Sequence, residues 1–196
     1  PWPTAARGVG AIPVGAVEMV QFSDGSRLNL MPILTAWMPQ ATAGDDNLSL
    51  PSSDDTFEAG LGNDTVFGRA GHDQIDGQAG NDVLAGGFGA DTLIGGEGED
   101  TLYGSFFGGT SGADDDPNSL NGGAGQDMIY GGINNDFILG GGGRNFLFSL
   151  HGDDLVDGQD GDDQIDTGAG SDTVLGGTGN DTIVVPYDSA TLRYAR

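Results

Sequence analysis

The chain has 196 residues, a formal net charge of −24 and no cysteine. With 6 arginines, no lysine and 30 acidic residues, nucleic acid and anionic membrane surfaces are poor partners, because both are polyanions. The lack of cysteine excludes a disulfide framework, thiol redox chemistry and thiolate metal sites, and no apolar run is long enough to span a membrane.

Residues 1–40 differ in composition from the rest of the chain. Ala16 to Leu30 (AVEMVQFSDGSRLNL) reads as a strand, a turn at Ser23 to Ser26 and a second strand. Residues 31–39 add Ile33, Leu34 and Trp37, apolar enough to close the open end of a repeat domain. The segment is therefore expected to cap that domain. The opening PWPTAARG shows no Met, basic stretch or apolar core of a signal peptide, so both chain ends are read as cuts from something longer.

From Ala41 to Val184 a phrase of nine residues repeats 16 times in register. Position 6 is Asp in 13 windows, position 8 is a large aliphatic residue or Phe in 15, and position 4 is Gly in 12. Glycines at positions 1, 2 and 4 permit positive φ and close backbone approach. Positions 1–6 are thus expected to turn and positions 7–9 to form a short strand. Strand alternation points position 8 inward. The inward set is Leu48, Phe57, Val66, Ile75, Leu84, Leu93, Leu102, Leu120, Ile129, Ile138, Leu147, Val156, Ile165, Val174 and Ile183. One inward side chain per window is best buried by two windows per coil. The expected fold is all-β: a right-handed parallel β-roll, a two-sheet solenoid of 18 residues per coil over residues 41–184. Residues 185–196 read as a C-terminal cap or the start of a further unit.

Windows 18 residues apart stack, so the position-6 residues form two ladders. By parity one edge carries Asp46, Asp64, Asp82, Asp100, Asn118, Asp136, Asp154 and Asp172. The other carries Asp55, Asp73, Asp91, Gly109, Asp127, Asn145, Asp163 and Asp181. The acids are 26 Asp and 4 Glu, and the shorter side chain is the one that reaches a metal held against its own turn. Asp often caps turns, but capping does not explain a ladder on both edges. Calcium takes about six to eight oxygen ligands at about 2.3–2.6 Å, while magnesium demands a stricter octahedron. Several calcium ions are expected, each between stacked carboxylates and turn carbonyls, with every ladder residue except Gly109 and Asn118 as a ligand.

Residues 104–121 (GSFFGGTSG, ADDDPNSLN) break the pattern for 18 residues. As a degenerate coil or an extruded loop, the stretch is expected to leave the edge parity unchanged and sites at Gly109 and Asn118 absent or weak. Asp114, Asp115 and Asp116 offer an irregular site there. After the break, outward positions turn apolar: Met128, Tyr130, Phe146 and Phe148 on one sheet, Phe137 and Leu139 on the other. Either Phe106 and Phe107 fold back over the first cluster, or it docks a neighbouring module or a second copy.

Copies such as GGFGADTLI (86–94), GGEGEDTLY (95–103) and GGTGNDTIV (176–184) resemble the G-G-x-G-x-D-x-U-x phrase of RTX, or haemolysin-type calcium-binding, proteins. VEMVQFSDGSRL is similar to a strand pair that accompanies such blocks, and VPYDSATLRYAR (185–196) to the opening of another. The resemblance implies type I secretion from bacteria, unfolded at low cytosolic calcium, and folding outside the cell. His72 and His151 fall in turn positions without a nucleophile or base at motif spacing, and a filled thin roll offers no catalytic pocket. No catalysis is expected. The expected role is a calcium-stiffened structural module of a large extracellular protein (adhesin, surface layer or fibre), or else the secretion and folding appendage of an exoenzyme or pore-forming toxin.

Overall fold

The computed structural model describes residues 19–21, 27–29, 39–105, 116–186 and 191–193. The chain divides into two units, Pro1–Pro39 and Gln40–Arg196. In the first, β1 (Met19–Gln21) and β2 (Arg27–Asn29) pair antiparallel with Val20 opposite Leu28. These are the two expected strands; the expected turn at Ser23 to Ser26 and the expected apolar cover at Ile33, Leu34 and Trp37 lie outside the described residues.

The second unit begins with β3 (Asn47–Ser49), β4 (Thr56–Leu61), β5 (Thr65–Ala70), β6 (Gln74–Ala79), β7 (Val83–Phe88) and β8 (Thr92–Glu97). There follow β9 (Thr101–Ser105), β10 (Ser119–Ala124), β11 (Met128–Gly132), β12 (Phe137–Gly142), β13 (Phe146–Leu150) and β14 (Leu155–Asp160). β15 (Gln164–Asp166), β16 (Thr173–Leu175), β17 (Thr182–Val184) and β18 (Thr191–Arg193) complete it. Odd-numbered strands from β3 to β17 form one 8-stranded sheet and even-numbered strands from β4 to β18 the other. Every pairing within them is parallel, and no helix occurs among the described residues. The chain is a parallel β-roll.

The predicted inward residues are the core. From Phe57 to Val174 all are buried, and Leu48 and Ile183 at the two ends are partly buried against them. Each fully buried aliphatic side chain contributes about 1.5–3 kcal/mol relative to exposure, and stacking them in two rows makes the stability collective. Leu50 and Ala59, at position 1 of their windows, are also fully buried, which the phrase does not predict.

Strands are longer than the phrase suggests. In the central coils they run five or six residues, as in Thr65–Ala70 with the burial alternation intermediate, buried, intermediate, buried. Position 1 therefore continues the strand as a second inward position. A glycine there reads in the sequence as a turn former, but it serves as an inward residue whose side chain must be missing. Position 2 then takes positive φ, even where it is not glycine: Arg69, Gln78, Leu150 and Gln159 have φ of 82°, 70°, 76° and 69°. The turn proper is positions 4–6.

The interruption also differs from expectation. Leu120 pairs with Leu93 and Ile129 with Leu102, each 27 residues apart, where the other rungs are 18 apart. The excess is one window of nine residues, half a coil, so the edge parity reverses after it. The physical reason is Asn118: its amide oxygen does the backbone work of an aspartate, so residues 116–121 keep their place in the ladder. Gly109, Asp114, Asp115, Phe106 and Phe107 lie outside the described residues.

Candidate metal centre

With the corrected register, one edge carries Asp46, Asp64, Asp82, Asp100, Asp127, Asn145, Asp163 and Asp181. The other carries Asp55, Asp73, Asp91, Asn118, Asp136, Asp154 and Asp172. A single hydrogen bond builds both ladders. The backbone N–H of each position-6 residue donates to Oδ1 of the next one along. On the first edge Asp64 bonds to Asp82 at 2.8 Å, Asp82 to Asp100 at 2.8 Å, Asp100 to Asp127 at 2.9 Å and Asp127 to Asn145 at 3.0 Å. On the second, Asp55 bonds to Asp73 at 2.9 Å, Asp91 to Asn118 at 2.9 Å and Asn118 to Asp136 at 2.8 Å.

That bond commits Oδ1 and leaves Oδ2. At Asp55, Asp64, Asp73, Asp82, Asp100, Asp127, Asp154 and Asp163 the Oδ2 atom is buried and accepts no hydrogen bond. Asp82 and Asp100 are each only 1 % exposed. A row of buried carboxylate oxygens without donors is unstable as it stands, since an unpaired buried charge costs several kcal/mol. The effect is visible in the acidities. Burial, with a smaller push from neighbouring aspartates, raises Asp82, Asp100 and Asp163 to about 6, against the opposing effect of the backbone hydrogen bond. Asp127 and Asp154 also rise to about 6, again chiefly through burial.

Position 1 completes the surroundings. A Cβ on Gly68 would collide with Asp73 Oδ2 and the Gly86 carbonyl oxygen. Gly77 stands in the same relation to Asp82 and Gly95, and Gly122 to Asp127 and Gly140. The missing side chain thus leaves room where a carboxylate oxygen and a turn carbonyl converge. Among the described residues no three acidic or histidine side chains gather as a metal cluster. The oxygens that converge are carboxylates and backbone carbonyls together, the donor set of a hard ion such as calcium.

The family profile of the RTX calcium-binding nonapeptide repeat matches in 4 copies, over residues 52–84, 76–110, 109–147 and 152–183, more than half of the chain. The chain belongs to the RTX calcium-binding nonapeptide-repeat family. No curated protein matches it. RTX repeats bind calcium and are typical of proteins that bacteria secrete. The orphaned Oδ2 rows of this roll are chemically suited to that ion.

A second ladder, which the sequence reading misses, lies outside the first. Position-5 side chains accept from the position-5 N–H of the next coil: Asn63 Oδ1 from Asn81 at 2.8 Å, Asn81 Oδ1 from Glu99 at 3.0 Å, and Asp153 Oδ1 from Ser171 at 2.8 Å. His72 joins it, Nδ1 accepting the Ala90 N–H at 2.9 Å. The available signal is the run of Asn, Asp and His at that position, all of them acceptors.

Proposed function

We propose that this roll is a calcium-locked structural module of a large secreted or cell-surface bacterial protein, folding when it meets extracellular calcium. The observation that carries this is the row of buried Oδ2 atoms without donors along both edges. The ligands are the position-6 aspartates, Asp46 and Asp55 through Asp172 and Asp181, joined by carbonyls of the turns. Bound calcium supplies the positive charge that the chain itself does not: with 6 arginines against 30 acids, the polypeptide alone cannot neutralise its core-lining carboxylates. Without the ion, like-charge repulsion and the entropy of a glycine-rich backbone favour an expanded chain suited to export. The same physics would serve a secretion and folding appendage of a larger exoenzyme or toxin. The long stack of coils and the apolar outer positions around Tyr130 and Phe148 favour the structural reading. No catalytic role is assigned to the roll.

The test is a calcium titration of the metal-stripped chain by far-UV circular dichroism. A cooperative coil-to-β transition between about 0.1 and 1 mM, the range of extracellular modules, with no equal response to magnesium, is expected. A chain fully folded without calcium and indifferent to it refutes the reading. Light scattering on the same sample separates the two roles, since association on folding is expected only of the structural module.

A further inference from the structure

The ladders are not uniform, and their exceptions share one chemistry. We propose that Asn118, Asn145 and Ser149 make metal-free rungs, in which an amide NH2 stands where the aspartate rungs offer Oδ2, or a hydroxyl proton takes the turn carbonyl, so that the rung holds no calcium. The coil of residues 140–157 is then metal-free on both edges and separates two calcium-binding blocks. The inference rests on the reading of the aspartate ladders as calcium sites.

Asn145 shows the device most completely. Its Oδ1 accepts the Asp127 N–H at 3.0 Å, and its own N–H donates to Asp163 Oδ1 at 2.7 Å. Nδ2 therefore stands where the aspartate rungs carry Oδ2, buried and without a hydrogen-bond partner. Turning the amide over would set its NH2 against the Asp127 N–H, donor facing donor, so the backbone bond fixes the orientation. An NH2 group offers a cation no lone pair and presents it with positive hydrogens. The amide faces the place where the other rungs gather oxygens, since a Cβ on Gly140 would meet both Asn145 Nδ2 and the Gly158 carbonyl oxygen.

Asn118 repeats the arrangement on the opposite edge. Its Oδ1 accepts the Asp91 N–H at 2.9 Å, and its Nδ2 and the Gly131 carbonyl oxygen both crowd Gly104. Ser149 reaches the same end from position 1. At glycine windows the carbonyl beside the carboxylate belongs to the position-1 residue one coil on, as Gly86 does for Asp73. In the window of Asp154 that residue is Thr167, and Ser149 Oγ donates to its carbonyl at 2.7 Å, both residues being 0 % exposed. The carbonyl that would complete a site at Asp154 is already taken, so Asp154 leaves the ligand set proposed above.

Something else must then hold this coil, and its outer faces supply it. The Tyr103, Tyr130 and Phe148 rings stack in a column at 5.0 Å spacing, with interplanar angles of 3° and 11°. The Arg144 guanidinium lies 5.4 Å from the Phe146 ring centroid, and Phe137 pairs with Leu155 on the other sheet. Aromatic and apolar contact therefore spans the coils in which amide and hydroxyl rungs replace ions.

The experiment counts calcium bound per chain at saturation, by equilibrium dialysis and atomic emission, with circular dichroism confirming the fold. Asn118→Asp, Asn145→Asp and Ser149→Gly each restore the residue the repeat favours and are expected to hold at least one ion more than the parent chain. Asn145→Ala is expected to hold as many as the parent. A parent chain that binds no calcium refutes the reading of the ladders themselves. A parent that binds calcium, with restored variants that bind no more or an Asn145→Ala variant that binds fewer, overturns the metal-free rungs alone.

Discussion

Asp100 donates its backbone N–H to Asp127 Oδ1 at 2.9 Å across 27 residues, and the 18-residue step resumes at once from Asp127 to Asn145. The roll has therefore absorbed a nine-residue insertion without losing a rung. Deleting residues 105–113 should accordingly leave calcium-dependent folding intact, because Gly104 and Asn118 then stand at their ordinary separation in one window. Deleting 104–121 should also leave a roll, but with the later windows moved to the opposite sheet, which parts Tyr130 from Tyr103. Near-ultraviolet circular dichroism of the tyrosines is expected to survive the first deletion and change with the second. The reverse result would place the insertion elsewhere.

The fold is legible because the phrase carries its own register: position 8 marks the core from Phe57 to Val174, and position 6 marks the ladders. Two things are hidden. Asn118 departs from Asp by one atom, and only the hydrogen bond it accepts from Asp91 shows that it keeps the rung. Taken as a lost rung, it turns a half-coil insertion into a whole coil and reverses every edge assignment from Asn118 onward. Position 1 is hidden because glycine has no side chain to reveal which way it faces. Its inward aim appears only from what a Cβ would strike.

The glycines at positions 1 and 3 should respond very differently to the same substitution. In Gly86→Ala the new methyl group would meet the Asp91 carboxylate, whereas around Gly142 a Cβ meets nothing within 4 Å. Gly142→Ala is expected to change stability by no more than about 0.5 kcal/mol, as surface substitutions usually do. Gly86→Ala is expected to raise the calcium midpoint several-fold by crowding the carboxylate. Paired titrations check this, and equal midpoints would remove position 1 from the site.

Leu102 and Leu61 separate core from surface in the same way. Leu102 is 0 % exposed between the sheets and Leu61 is 58 % exposed. Leu102→Ala should cost about 2–5 kcal/mol, the usual range for a buried leucine, while Leu61→Ala should stay within about 0.5 kcal/mol. Denaturant unfolding at saturating calcium measures both. Because the coils are stacked in one collective core, the loss at Leu102 is expected to lower the whole transition rather than melt one coil.

Proton and calcium compete for the same oxygens, and the sign of the effect depends on which is present. Without metal, burial raises Asp82, Asp100, Asp127, Asp154 and Asp163 from 3.8 to about 6. A carboxyl whose folded-state pKa exceeds its unfolded value binds its proton more tightly when folded. That stabilisation is complete below the unfolded value and is lost as pH rises through the folded one. The metal-free roll should therefore be most ordered in acid and lose structure as pH rises from about 4 to above about 6. With calcium the trend reverses, because the ion needs the ionised carboxylates, and its midpoint should rise as pH falls below about 6. Circular dichroism of chelating-resin-treated chain across this range, repeated at fixed calcium, checks both limbs. A metal-free chain that gains β-structure as pH rises would contradict the burial of these carboxylates in the apo roll.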